Sequence, residues 1–243
     1  MNKLKEIEEL CKIGIADVQL CFNIKEDLWD KYIEQELCKN ESLMDLINFR
    51  QSVNFDWKVD TKLGGPATTL NACVLYCLIR YYDLFMICET GVAGGYSTVF
   101  LLEAVSRNGG IMRSLELSND MNEVAKLVPE KWKDSPTWHL KTGVDSVEFL
   151  RNENDDYNRI FHLYCHDSLH TFKHMFSELT EFKKCKNDRF FVFFDDQNSE
   201  NFWDRCLQMK LFEKKGYNVK YISGKESRLN GHMGGIIKYD KVL

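Results

Sequence analysis

The sequence predicts an α/β protein: a doubly wound, mostly parallel sheet of seven strands that ends in an antiparallel hairpin, preceded by N-terminal helices. Three observations predict it. From Asp83 onward, short apolar runs alternate with stretches of helical periodicity, which is the pattern of βαβ units. The final two runs, Tyr217–Ile222 and Gly235–Tyr239, are separated only by Ser223–Gly234, which leaves no room for a crossover helix and makes them a hairpin. Before Gln51, apolar residues recur at helical rather than strand spacing.

The elements follow in order. Leu4, Ile7, Leu10, Cys11 and Ile13, then Leu28, Tyr32, Ile33 and Leu37, place two or three helices in residues 1–60 as a cap on the main domain, residues 61–243. Gly64-Gly65-Pro66 breaks the pattern. Thr68 or Thr69 is then placed to cap a helix carrying Leu70, Cys73, Val74, Cys77, Leu78 and Tyr81. The strands expected before the hairpin are Leu84–Glu89, Ile111–Leu117, Trp138–Thr142, Arg159–Tyr164 and Arg189–Phe194.

Composition narrows the class of function. The 243 residues are 44% hydrophobic and 28% charged, enough for a full core and a soluble surface. A formal net charge of −5, with basic runs no longer than Lys183-Lys184-Cys185-Lys186, argues against nucleic acid as a partner. Nine cysteines without a Cys-x-x-Cys pair read as reduced thiols in a cytoplasmic protein. The charged start, Met1 to Glu9, does not resemble a signal peptide, and no apolar stretch reaches the roughly 20 residues of a membrane span, so no membrane association is expected.

The chemistry is expected at the strand ends. Ile87-Cys88-Glu89-Thr90-Gly91-Val92-Ala93-Gly94-Gly95-Tyr96-Ser97-Thr98 reads as an apolar strand ending in an acid, a glycine-rich turn, and a helix started by Ser97 or Thr98. Such a turn in an open α/β sheet lets a ligand approach the backbone and offers free N–H groups to a negative group. Taken alone it is equally a tight βα turn. The spacing is neither Gly-x-Gly-x-x-Gly nor a P-loop. At the next strand end, Glu116-Leu117-Ser118 places an acid where it can accept from two ribose hydroxyls, a nucleoside feature common to several cofactors and also open to reading as a solvated strand end. Gly143-Val144-Asp145-Ser146 follows the third strand: Asp145 is a candidate acceptor for an adenine amino group, and Ser146 a candidate helix cap.

The fourth and fifth strands run into Cys165-His166-Asp167-Ser168-Leu169-His170 and Asp195-Asp196-Gln197-Asn198. Carboxylates at the ends of buried strands are costly unless they meet a cation or donors. Asp167, Asp195 and Asp196 on one rim could hold a hard divalent ion that lowers a hydroxyl pKa. His162, His166, His170 and His174 recur every fourth residue, but only the last two can be helical, which disfavours a metal-binding helix face. His170 is a candidate general base, or a residue that hydrogen-bonds its own loop.

Together these residues resemble the class I S-adenosylmethionine-dependent methyltransferases, and more narrowly the methyltransferase domain 24 family, whose members include relatives of macrocin O-methyltransferase. The likeness spans about Asp83 to Asp240 and rests on the run from His166 through Leu179, in which Phe172 replaces the usual Tyr, and on the Asp195-Asp196 pair. It implies an S-adenosylmethionine-binding domain over residues 61–243 in which Glu89, Thr90, Gly91, Gly95, Tyr96, Ser97 and Thr98 surround the methionine portion. Glu116 would bind the ribose, and Leu117, Ser118, Gly143, Asp145 and Ser146 complete the expected cofactor-binding set. In metal-dependent members, carboxylates corresponding to Asp167, Asp195 and Asp196 hold magnesium. The implied activity is O-methylation of a small hydroxylated acceptor such as a sugar or natural product, with His170 and Asp167 as catalytic residues. The competing readings are a metal-independent transferase using His170 as base, a non-catalytic cofactor-binding module, and an oxidoreductase, the last disfavoured by the glycine spacing. The N-terminal helices lie outside the likeness and are expected to shape the acceptor pocket or a homodimer contact.

Overall fold

The computed structural model describes residues 3–52, 68–152, 160–195, 202–222 and 234–243. The Gly64-Gly65-Pro66 breaker, Asp196 and nearly all of the Ser223–Gly234 connection lie outside the described residues.

Helix α1 (Lys3–Phe22) buries Cys11, Ile15, Val18 and Phe22, a stripe that repeats every three or four positions. A π-helical turn at Trp29–Glu34 and a short 3-10 turn at Leu37–Lys39 lead into α2 (Glu41–Ser52). Helix α3 (Thr68–Tyr81) is apolar on nearly every side because it lies between this helical layer and the sheet. Its Arg80 side chain grips Glu36 through Nε at 2.8 Å and Nη2 at 3.1 Å, tying the helical layer to the main domain.

The remaining elements alternate: β1 (Met86–Thr90), α4 (Tyr96–Arg107), β2 (Ile111–Glu116), α5 (Glu130–Lys133), β3 (Trp138–Thr142), α6 (Ser146–Asn152), β4 (Leu163–His166), α7 (Phe172–Phe182), β5 (Arg189–Phe194), α8 (Phe202–Gln208), β6 (Tyr217–Ile222) and β7 (Gly235–Lys241). The strand order is β3-β2-β1-β4-β5-β7-β6. The first five are parallel neighbours, and β7 inserts antiparallel between β5 and β6, so the predicted hairpin is present with its second strand inward. No helix among the described residues is long and apolar enough to cross a membrane.

Alternation along the central strands sorts side chains onto two cores. Ile87, Leu163, Cys165, Phe191 and Phe193 face α1, α3 and α4, whereas Cys88, Tyr164, Phe190, Val192 and Phe194 face α7 and α8. The fourth strand departs from its expected span, Arg159–Tyr164: its ladder with β1 and β5 runs from Leu163 to His166. Ile160 is exposed and pairs with neither strand, while His166 at the buried end hydrogen-bonds Glu178 through Nδ1, its Nε2 meeting no partner among the described residues.

Candidate active site

The strand order reverses between β1 and β4, and ligands in open α/β sheets bind outside the carboxyl ends of strands at such a switch point. The glycine-rich turn lies there. Gly91 takes φ +85°, and a Cβ at this position would sit 2.0 Å from the carbonyl oxygen of Asp167. The glycine is therefore required by the close passage of β4's end as well as by any ligand. Helix α4 starts at Tyr96, earlier than expected, with Gly95 at φ 85° as its N-cap. Thr98 does not cap it: the Thr98 hydroxyl turns inward and donates to the Glu89 carboxylate at 3.0 Å.

A cavity of about 350 Å³ opens beside the turn, lined by Gly91, Ala93, Leu115, Glu116, Leu117, Val144, Asp145, Ser146, Asp167, Ser168, Leu169 and His174. The ends of β1, β2, β3 and β4 thus converge on one space. Glu116 also shapes it directly, since its Oε2 accepts the backbone N–H of Val92 at 2.8 Å and of Ala93 at 3.0 Å, and its Oε1 accepts that of Ser118 at 2.9 Å. Asp145 rather than Ser146 caps α6, its Oδ1 accepting the Glu148 N–H at 2.8 Å. Gly143, at φ +70° with the Asn119 side chain against it, lines an adjoining groove with Lys141 and Phe149. Tyr96 lies deeper, its hydroxyl 2.8 Å from that of Thr69 and its ring beneath the Arg50 guanidinium.

The alternation of the strands produces two polar clusters under the rim. On the α3/α4 side, Glu89, Ser97, Asp167 and Asp195 surround a space of about 20 Å³ with Asn71 of α3. The Glu89 carboxyl accepts from Thr98 and, at 2.8 Å, from Ser114, and burial pushes its pKa up to about 8. Asn71 donates to Asp195 Oδ1 at 2.7 Å and accepts the Gly234 N–H at 2.8 Å, so it holds the end of β5 in place. Asp167, His170 and Asp195 each bring a ligand atom within 4.8 Å of the others, and His170 Nε2 approaches Asp167 Oδ1 at 3.5 Å. His170 precedes α7, whose N-cap is Thr171, so of the four spaced histidines only His174 is helical.

On the α7 side, Thr90, His166, Ser146, Ser168 and His174 all meet the carboxylate of Glu178, which is wholly buried. Burial alone would raise its pKa. The His166 charge and the hydrogen bonds from His166, His174 and Ser146 outweigh burial and hold it well below the usual carboxylate range. The side chains of Thr90 and Thr98 are thus spent in buried bonds rather than lining the large cavity. Sequence reasoning gave no site role to Asn71, Ser168, His174 or Glu178, although the last three lie in the run from His166 through Leu179 that carries the likeness. The available signal was polar residues inside otherwise apolar segments, Asn71 within Leu70–Leu78 and Glu178 between Met175 and Leu179.

No curated protein matches the chain in sequence. Residues 88–197 match the family model described as a methyltransferase domain. Solved structures share the fold at low identity. An O-methyltransferase from Bacillus cereus, in complex with S-adenosylhomocysteine, is 19% identical with a TM-score of 0.57, over 87% of this chain and 96% of that one. The O-methyltransferase TomG from Streptomyces achromogenes, involved in tomaymycin synthesis and in complex with S-adenosylmethionine, is 16% identical with a TM-score of 0.59, over 86% and 93%. A Podospora anserina methyltransferase, PaMTH1, bound to S-adenosylhomocysteine, gives 13% and 0.56, over 84% and 88%. The likeness to the methyltransferase domain is thus carried by residues 88–197, and the solved structures share the fold.

Proposed function

We propose that the 350 Å³ cavity takes S-adenosylmethionine and that the protein transfers its methyl group to the oxygen of a small hydroxylated acceptor. The observation that carries this reading is the convergence of Gly91, Glu116 and Asp145 on one cavity at the switch point, within the segment that matches the methyltransferase domain. The glycine turn receives the methionine portion, Glu116 the ribose and Asp145 the base. Leu117 and Leu169 provide apolar walls. The acceptor lies at the Asp167, His170 and Asp195 end, where its oxygen attacks the methyl carbon, the carbon–sulfur bond breaks with its electron pair going to sulfur, and the hydroxyl proton passes to solvent or to His170. Holding the two reactants in line accounts for much of the acceleration.

Asp167, Asp195 and His170 form a donor set that fits a divalent cation. Such an ion would orient the acceptor hydroxyl and lower its pKa. Magnesium suits the carboxylates, and manganese is better matched to a set that includes imidazole. A second reading is favoured by the 3.5 Å approach of His170 to Asp167: His170 takes the acceptor proton while Asp167 orients it. The test is methyl transfer from labelled S-adenosylmethionine to a panel of small hydroxylated acceptors, with and without EDTA. Transfer lost on chelation and restored by Mn2+ or Mg2+ supports the ion. Transfer that survives chelation and disappears in His170→Ala supports the base. Acceptor-independent loss of label with no methylated product would contradict the transferase reading.

A further inference from the structure

The cluster around Glu178 fixes more than packing. An ionised carboxylate only accepts hydrogen bonds, so each neighbour must spend a proton on it. Oε1 receives Ser146 Oγ, Ser168 Oγ at 3.0 Å and His174 Nε2 at 3.1 Å, while Oε2 receives His166 Nδ1 and Thr90 Oγ1 at 3.1 Å. A serine hydroxyl has a single proton and two lone pairs. With both protons turned down into Glu178, Ser146 and Ser168 face the cavity they line with lone pairs only. His174 Nε2, 3.1 Å from both hydroxyls, turns its proton toward the same cluster. Beside them, Asp145 uses Oδ1 on its own helix, and its second oxygen meets no donor among the described residues.

We propose that Glu178 is a specificity-determining residue: by taking the hydroxyl protons of Ser146 and Ser168 it makes this part of the cavity floor acceptor-only, so that the site selects an exocyclic N–H donor, the 6-amino group of adenine over the 6-oxo group of hypoxanthine. The proposal rests on the nucleoside reading of the cavity given above. A buried site made of acceptors rejects a carbonyl edge because facing lone pairs lose their water and gain nothing.

The test compares the binding of S-adenosylhomocysteine and S-inosylhomocysteine by calorimetry to the full chain. The wild-type protein should bind the adenosyl compound at least about tenfold more tightly. In Glu178→Gln, whose amide donates as well as accepts, the serine protons are released and the ratio should fall to about threefold or less. A residue with only a structural role would weaken both ligands together and leave the ratio unchanged. Should Glu178→Gln fail to fold, the double variant Ser146→Ala and Ser168→Ala removes the acceptors themselves and should compress the ratio in the same way. A wild-type ratio near one, or a ratio that survives both changes, overturns the proposal. Binding of neither compound to the wild-type protein would instead sink the nucleoside reading on which it rests.

Discussion

The carboxylate of Glu116, at the end of β2, accepts the backbone N–H of Val92 at 2.8 Å, and the same oxygen takes that of Ala93 at 3.0 Å. The residue expected to hold a ribose also holds the glycine-rich turn in shape. Val92, Ala93 and Ser118 fill three of the carboxylate's roughly four lone-pair sites, which leaves one on Oε1 for a ribose hydroxyl. Charge-assisted bonds of this kind are worth roughly 2–4 kcal/mol together. Glu116→Ala should therefore weaken S-adenosylhomocysteine binding by about one to three orders of magnitude and also lower the melting temperature. A loss below about threefold, read by calorimetry, would place the ribose elsewhere.

Gly91 offers a test of the turn itself. Because a Cβ would lie 2.0 Å from the Asp167 carbonyl oxygen, and φ is +85°, any side chain there displaces the end of β4. Gly91→Ala should cost at least about 3 kcal/mol of stability, and Gly91→Val more, so loss of binding in either is a folding effect as well as a ligand effect. Retention of the wild-type melting temperature by Gly91→Ala would contradict this geometry.

Glu89 makes stability fall as the solution becomes alkaline. Burial raises its folded pKa to about 8, whereas the unfolded carboxyl titrates near about 4.3. Between those values the folded chain holds a proton that the unfolded chain has released, so the contribution is full below the lower value and is lost as pH rises through the upper one. Denaturant unfolding of the wild-type protein should show stability declining between about pH 5 and pH 8 by more than in Glu89→Gln. Equal slopes in the two proteins would mean that Glu89 is ionised in the fold.

The Arg80 fork on Glu36 predicts how firmly the N-terminal helices are held. Both side chains are about four-fifths buried, at 20% and 19% exposure. Arg80→Ala should cost on the order of 1–3 kcal/mol, visible as a fall of about 2–10 °C in melting temperature. A melting curve identical to the wild type would show the contact to be energetically idle.

The architecture was legible because hydrophobic period and segment length decide it: β3, β5 and β6 occupy the expected spans, and the short link before Gly235 demanded an antiparallel pair. Glu116, Asp145 and Asp167 were expected at or just after strand ends, and the three line one cavity. The side-chain partners were not. Ser146 looked like a cap because serine at a helix start usually is, yet Asp145 one residue earlier captured the free N–H and left the hydroxyl to Glu178. Thr98 was drawn from capping by a buried acid nine residues away. Glu178 itself lies on α7, distant in sequence from Thr90 and Ser146, and only the packed sheet brings them together. Local pattern carries no information about which distant polar groups will share a proton.

The most direct measurement is a calorimetric titration of the full chain with S-adenosylhomocysteine, run beside NAD at equal concentration. Binding of one equivalent of S-adenosylhomocysteine in the micromolar range or tighter, with no heat from NAD, is the predicted result. The absence of S-adenosylhomocysteine binding up to about 1 mM, or preferential binding of NAD, would contradict the assignment of the cavity at the β1–β4 switch point.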